Sequence, residues 1–279
     1  MDASSEISRN CHVRSNSFPS KSHPSSVGVE EQLCRLRSSS EAATSSTSMF
    51  CRLNGLKDLH GSVDNMLQLQ QIQQVLSREE NNKCVEQVLD GSLRVLDLCG
   101  IARDISSQMK QCLQELQSSL RRRRGTESGL ENEVGAYMFS KKKLSKMIFK
   151  CVGNVKNMKN NCTSENSEIG MLIEVEEITM AAFQSLLSFI SRPKATKSIV
   201  SKMFQSKRVS CEGANEVEKM EAELVALKSS KNISITEVQK VLKGLEAIES
   251  NIQELEDELE CVFRRLVKTR VSLLNIFNH

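Results

Sequence analysis

Clustered carboxylates, thiols and imidazoles are the side chains in this sequence whose type and spacing could do chemistry. Glu174, Glu176 and Glu177 stand close together. Paired carboxylates can share a proton or flank a scissile bond. On a helix, however, residues one or two apart point in different directions, so these three read as a solvated face. Of the ten cysteines none forms a CxxC, and Cys84, Cys99, Cys112 and Cys151 occupy apolar helical positions. That pattern predicts buried free thiols in a reducing compartment, not a disulfide frame or a zinc site. The four histidines, His12, His23, His60 and His279, make neither an HExxH nor an ExxH pair, which argues against zinc-protease and di-iron chemistry. A phosphate-cradling glycine loop and a GxSxG elbow are also missing from the sequence, so no catalytic residues, metal site or cofactor are expected.

The sharper signals concern partners. Arg14-Ser15-Asn16-Ser17-Phe18-Pro19 fits R-S-x-S-x-P. Phosphorylated at Ser17, this pattern resembles the docking peptide of 14-3-3 proteins: the phosphate would pair with an arginine cluster and Pro19 would turn the chain out of the groove. Arg14 sits where a basophilic kinase would require it. Three basic runs follow: Arg121, Arg122, Arg123 and Arg124, then Lys141, Lys142 and Lys143 with Lys146 and Lys150, then Lys194–Arg208. Any of them could meet anionic lipid headgroups, and the four arginines could act as a nuclear address. Nucleic acid is not an expected partner. The net charge is only +3 and aromatics are 4% of residues, which leaves little for a phosphate field or for base stacking.

The elements that carry these residues should be helices. Apolar residues make up 39%, dominated by Leu, Ile, Val and Met, with Tyr137 the sole tyrosine and no tryptophan. Between Pro24 and Pro193 no proline removes a helical N–H. Residues 1–48 read as a disordered Ser-rich tail with one short helix at about 27–37, and 49–279 as a helical bundle domain. Within the bundle, stripes run from Leu53 to Leu76, from Cys84 to Leu120, from about Leu130 to Asn157 and from about Ile169 to Ser191. A further short helix is expected at 194–206. Gly91 and Gly100 interrupt the second stripe, where they predict close helix–helix approach. Ile178–Ile190 comes nearest to a membrane span but is broken by polar residues, and a buried helix is the better reading.

The clearest pattern lies in the terminal helix, about 234–277. Val238, Val241, Leu245, Ile248, Ile252, Leu255, Leu259, Val262, Leu266, Thr269, Leu273 and Ile276 alternate at spacings of three and four. Thr269 is the one member that is not apolar. Such a seam must meet other helices, and Leu245, Ile248, Ile252, Leu255 and Leu259 are the candidate pairing residues. If the bundle covers them the protein can be monomeric; if not, a homo-oligomer is expected. Ser234 and Glu237 form a capping box at the start. The acidic run Glu246–Glu260 is expected to coat the solvent side, and Phe263, Val267, Val271, Leu274 and Phe277 to widen the seam for docking on the bundle.

Several segments taken in order carry a family resemblance. These are His12–Ser20, Leu89-Asp90-Gly91-Ser92-Leu93-Arg94-Val95-Leu96-Asp97-Leu98-Cys99-Gly100 with Ala102-Arg103-Asp104, and Glu115–Ser118 running into Arg121–Arg123. The last is the close from Phe263 to His279. The chain resembles a plant-specific family of unknown biochemical function, known as BYPASS-like, over nearly its whole length. The resemblance implies a helical fold with no accepted enzyme activity and no catalytic residues to carry over. It also implies a role in root and shoot development through restraint of a mobile root-derived signal. The expected function is a non-enzymatic adaptor or regulator acting through helix faces and a phosphorylatable tail, located in the cytoplasm. The alternative is a peripheral membrane protein that binds anionic lipid through basic helix faces. Nuclear and plastid locations are further alternatives.

Overall fold

A computed structural model describes residues 24–38, 46–122, 130–156, 166–191, 216–229 and 234–278. These form eight α-helices and one 3-10 turn, with no strand among the described residues. The helices are α1 (Pro24–Ser38), α2 (Ser46–Leu67), α3 (Gln70–Leu76), α4 (Asn82–Arg122), α5 (Leu130–Lys156), α6 (Ser167–Ser191), α7 (Glu216–Ser229) and α8 (Ile235–Phe277). The Arg14–Pro19 motif, Arg123, Arg124, the basic run Lys194–Arg208 and the helix expected at 194–206 lie outside the described residues.

Two helices span the molecule. α4 has 41 residues and α8 has 43, about 61 and 64 Å at 1.5 Å per residue. They run antiparallel: Arg121 meets Glu246, Lys110 meets Glu256, the Cys99 thiol points to the Leu259 carbonyl, and Arg270 reaches Ser92. The capping box starts α8 as expected. The Ser234 hydroxyl accepts from the Glu237 N–H at 3.2 Å, and the Ser234 N–H donates to Glu237 Oε2 at 3.0 Å.

The seam of α8 is covered within the chain. Leu245, Ile248, Leu255 and Leu259 are buried and Ile252 is half-buried, mainly against α4 and α2. Two apolar clusters divide its length. Leu255 to Ile276 join α1, α2, α3, α6, the first half of α4 and the C-terminal end of α5. Val241 to Ile248 join the end of α4, the start of α5 and α7.

Four expectations need correction. α1, assigned from sequence to the tail, buries Val29, Leu33 and Leu36 in the main core. The Leu53–Leu76 stripe is two helices, because the backbone leaves helical angles at Leu69 (φ −75°, ψ 127°). The break lets α3 tuck Ile72 and Leu76 into the core, and Ser77 Oγ then donates to the Ile276 carbonyl at 3.2 Å. The acidic run of α8 does not simply face water. Glu249 accepts from Gln114 and Gln117 at 2.7 and 2.8 Å, Glu256 pairs with Lys110 at 2.7 Å, and Glu258 pairs with Lys57 at 3.0 Å. Those bonds flank the seam and fix which turns of α4 and α2 meet which turns of α8. Finally, Val267 and Val271 stay exposed, while Phe263, Leu274 and Phe277 pack against the core.

Candidate functional site

Toward the C-terminal end of α8, where α2, α4, α6 and α8 meet, the bundle holds a buried polar centre. Thr269, the single polar member of the seam, donates from Oγ1 to Asp64 Oδ1 at 2.8 Å. Asp64 is buried, and its other oxygen lies 3.4 Å from Lys268 Nζ. The interruption in the apolar ladder is thus a hydrogen-bond donor for a carboxylate that α2 brings into the core. One turn earlier on α2, His60 Nε2 lies 3.1 Å from Thr179 Oγ1 on α6. The Thr179 hydroxyl has a single proton, which goes to the Val175 carbonyl at 2.6 Å. His60 must therefore donate from Nε2, and its Nδ1 is the bare nitrogen, buried without a hydrogen-bond partner. Burial, helped by the positive charge of Arg265, holds the His60 pKa down to about 4. The ring is neutral at physiological pH.

Glu176 completes the centre and overturns the reading of the acidic triplet. Of Glu174, Glu176 and Glu177 only Glu177 is exposed. Glu174 is half-buried and pairs with Arg37. Glu176 is 9% exposed and pairs with Arg94 at 2.6 Å. The cause is register. Leu172 lies one turn before Glu176 on the inner side of α6, Thr179 and Phe183 lie one and two turns after it, and all three are buried. Gly91 makes the space, since a Cβ there would overlap the Glu176 carboxylate. Gly100 was expected to serve the same purpose, yet it has open space around its Cα and permits no close approach.

A void of about 30 Å³ lies beside these groups, lined by His60, Ser92, Glu176 and Thr269 among apolar neighbours. It has the size of a water site, not of a metabolite pocket. The protons on Thr179 and Thr269 are committed to fixed acceptors, so the centre works chemically as a set of pegs holding four helices in register. Among the described residues no group of three or more His, Cys, Asp or Glu could hold a metal ion. Of the four thiols expected to be buried only Cys99 is so; Cys84, Cys112 and Cys151 are half-buried, because their helical positions lie at the margin of the core. Cys99 is buried and its thiol is pushed up to about 12, chiefly by burial. Burial also raises Cys112 and Cys151.

The basic runs separate into two kinds. Arg121 is engaged by Glu246 at 2.7 Å and Gln117 at 3.2 Å, and Arg122 donates to Ser119 at 3.1 Å. Lys141 is half-buried, whereas Lys142, Lys143, Lys146 and Lys150 are exposed on α5. Phe139 and Phe149 share that outward side and are 72% and 82% exposed. The inner side of α5 buries Val134, Tyr137, Leu144 and Ile148. The two outward phenylalanines were not recognised from sequence. Their signal was available, because both fall outside the 134-137-144-148 apolar stripe.

Among the described residues no helix is long and apolar enough to cross a membrane. The family model described as Protein BPS1 matches residues 52–276, so this chain belongs to that family. No curated protein and no solved structure matches it.

Proposed function

We propose that this protein is a non-enzymatic helical adaptor or regulator in root and shoot development, and that it engages its partner through the outward face of α5. The observation that carries this reading is the pair Phe139 and Phe149, left in water on a helix whose opposite side is fully packed. Burying one such side chain is worth about 2 kcal/mol. The bundle leaves both unused on a single side of one helix, and that is the pattern of a docking surface. The α8 seam offers no comparable surface, because α4 and α2 cover it. The developmental setting is what the resemblance to BYPASS-like proteins implies. The Arg14–Pro19 motif adds a second docking element, a 14-3-3 site switched on by phosphorylation of Ser17, and the cytoplasm is the compartment that suits both.

The test is a Phe139→Ser/Phe149→Ser double variant, replaced for the native chain in the plant. Both positions are exposed, so the variant should fold as the native chain does by circular dichroism. Loss of normal root and shoot growth supports the reading. Normal growth with the folded double variant rejects α5 as the effector surface.

A further inference from the structure

The outward face of α5 has a composition that selects among partners. From Val134 to Lys156 the helix contains no acidic residue. At 100° per residue, Phe139, Lys142, Lys143, Lys146, Phe149 and Lys150 fall within about 120° of arc, over about 16 Å of helix. The four lysines make no ion pair with any described residue, whereas Lys57, Lys110, Arg94, Arg103 and Arg121 are all paired. With no carboxylate on this stretch of α5, the four lysines give that side a net positive charge.

We infer that this face docks on the surface of an anionic lipid bilayer, with the lysines among the phosphate headgroups and Phe139 and Phe149 inserted at the acyl boundary. The inference rests on the reading of α5 as the docking surface and names its occupant. Three features favour a bilayer over an acidic protein or a nucleic acid. The apolar anchors are two single phenylalanines separated by lysines, which matches a plane that accepts insertion anywhere, not a pocket built for one cluster. The cations are all lysine, point charges suited to headgroup phosphates and lacking the planar fork that reads carboxylates or base edges. The remainder of α5 is anchored in both apolar clusters, so the face is presented on a rigid support and no folding cost is incurred on docking.

Cosedimentation of the full chain with vesicles decides the matter, using phosphatidylcholine alone and phosphatidylcholine with phosphatidylserine. Binding is expected only to the anionic vesicles and should weaken as salt rises. Each Lys→Gln change at 142, 143, 146 or 150 should lower partitioning about fivefold. Phe139→Ser and Phe149→Ser should each lower it at least tenfold. Arg121→Gln, on a residue already paired within the bundle, should change it little. Failure to bind anionic vesicles overturns the lipid assignment. If the double phenylalanine variant nevertheless abolishes growth, the face docks a protein instead; if that variant grows normally, both readings fall. Binding that ignores both phenylalanines and is matched by soluble inositol phosphate would overturn bilayer docking in favour of a free anion.

Discussion

Gly91→Ala should destabilise this protein, although the same change in an ordinary helix interior stabilises by about 1 kcal/mol. The added Cβ would overlap the Glu176 carboxylate. That carboxylate is 9% exposed and bonded to Arg94, itself 24% exposed, at 2.6 Å. Displacing it breaks a buried pair, a loss of about 3–5 kcal/mol when both partners are dry. Water can reach Arg94 in part, so the loss here is about 2–3 kcal/mol, and helix propensity offsets about 1 of it. The net cost is about 1–2 kcal/mol. In a Glu176→Ala background the obstacle is gone, and Gly91→Ala should become stabilising by about 1 kcal/mol. The change of sign amounts to a coupling of about 2–3 kcal/mol. Urea titrations of the four proteins, followed by far-ultraviolet circular dichroism, measure it. An equal effect of Gly91→Ala in both backgrounds would refute the role assigned to this glycine.

Other outcomes follow from the same geometry. His60 has a pKa of about 4 in the folded protein against an ordinary 6.5. Between those values the unfolded chain takes up a proton and the folded one does not, so stability is full above about pH 6.5 and declines toward pH 4, by about 3 kcal/mol. His60→Gln should flatten that part of a pH–stability curve, and an unchanged slope would show that the ring is not held neutral. Ile252→Asp puts a charge into a seam satisfied within the chain. It should lower the urea midpoint, by about 2 kcal/mol or more in stability, without altering the mass measured by light scattering; dissociation of a dimer would show that the seam pairs two chains. Ser17→Ala should abolish phosphorylation-dependent capture of 14-3-3 protein, and full retention would remove the motif from the account.

Much of the fold was legible because it rests on local rules. The three–four alternation of α8 and the Ser234–Glu237 capping box need no tertiary information, and both stand in the structure. Elements whose fate depends on neighbours were not legible. The sequence of α1 is short and polar at its edges, and it takes α2 and α6 to give its three buried residues a place to go. The chain breaks at Leu69 without proline because α3 must turn beneath the end of α8. Glu176 carries a charge, which argues for solvent, but its position in the α6 repeat argues for the interior. Position prevailed because Gly91 left space and Arg94 supplied the countercharge. Phe139 and Phe149 drew no attention in the sequence, although register on α5 places both outside the apolar stripe.

The chain has no tryptophan, so Phe149→Trp introduces a sole indole at a position 82% exposed in the native fold. The emission of that variant, recorded alone and then with anionic and with neutral vesicles, tests the docking face most directly. Water-exposed emission is expected in the free protein, with a blue shift on adding anionic vesicles and none on adding neutral ones. Emission already blue-shifted in the free protein, or unmoved by anionic vesicles, would contradict docking by this face.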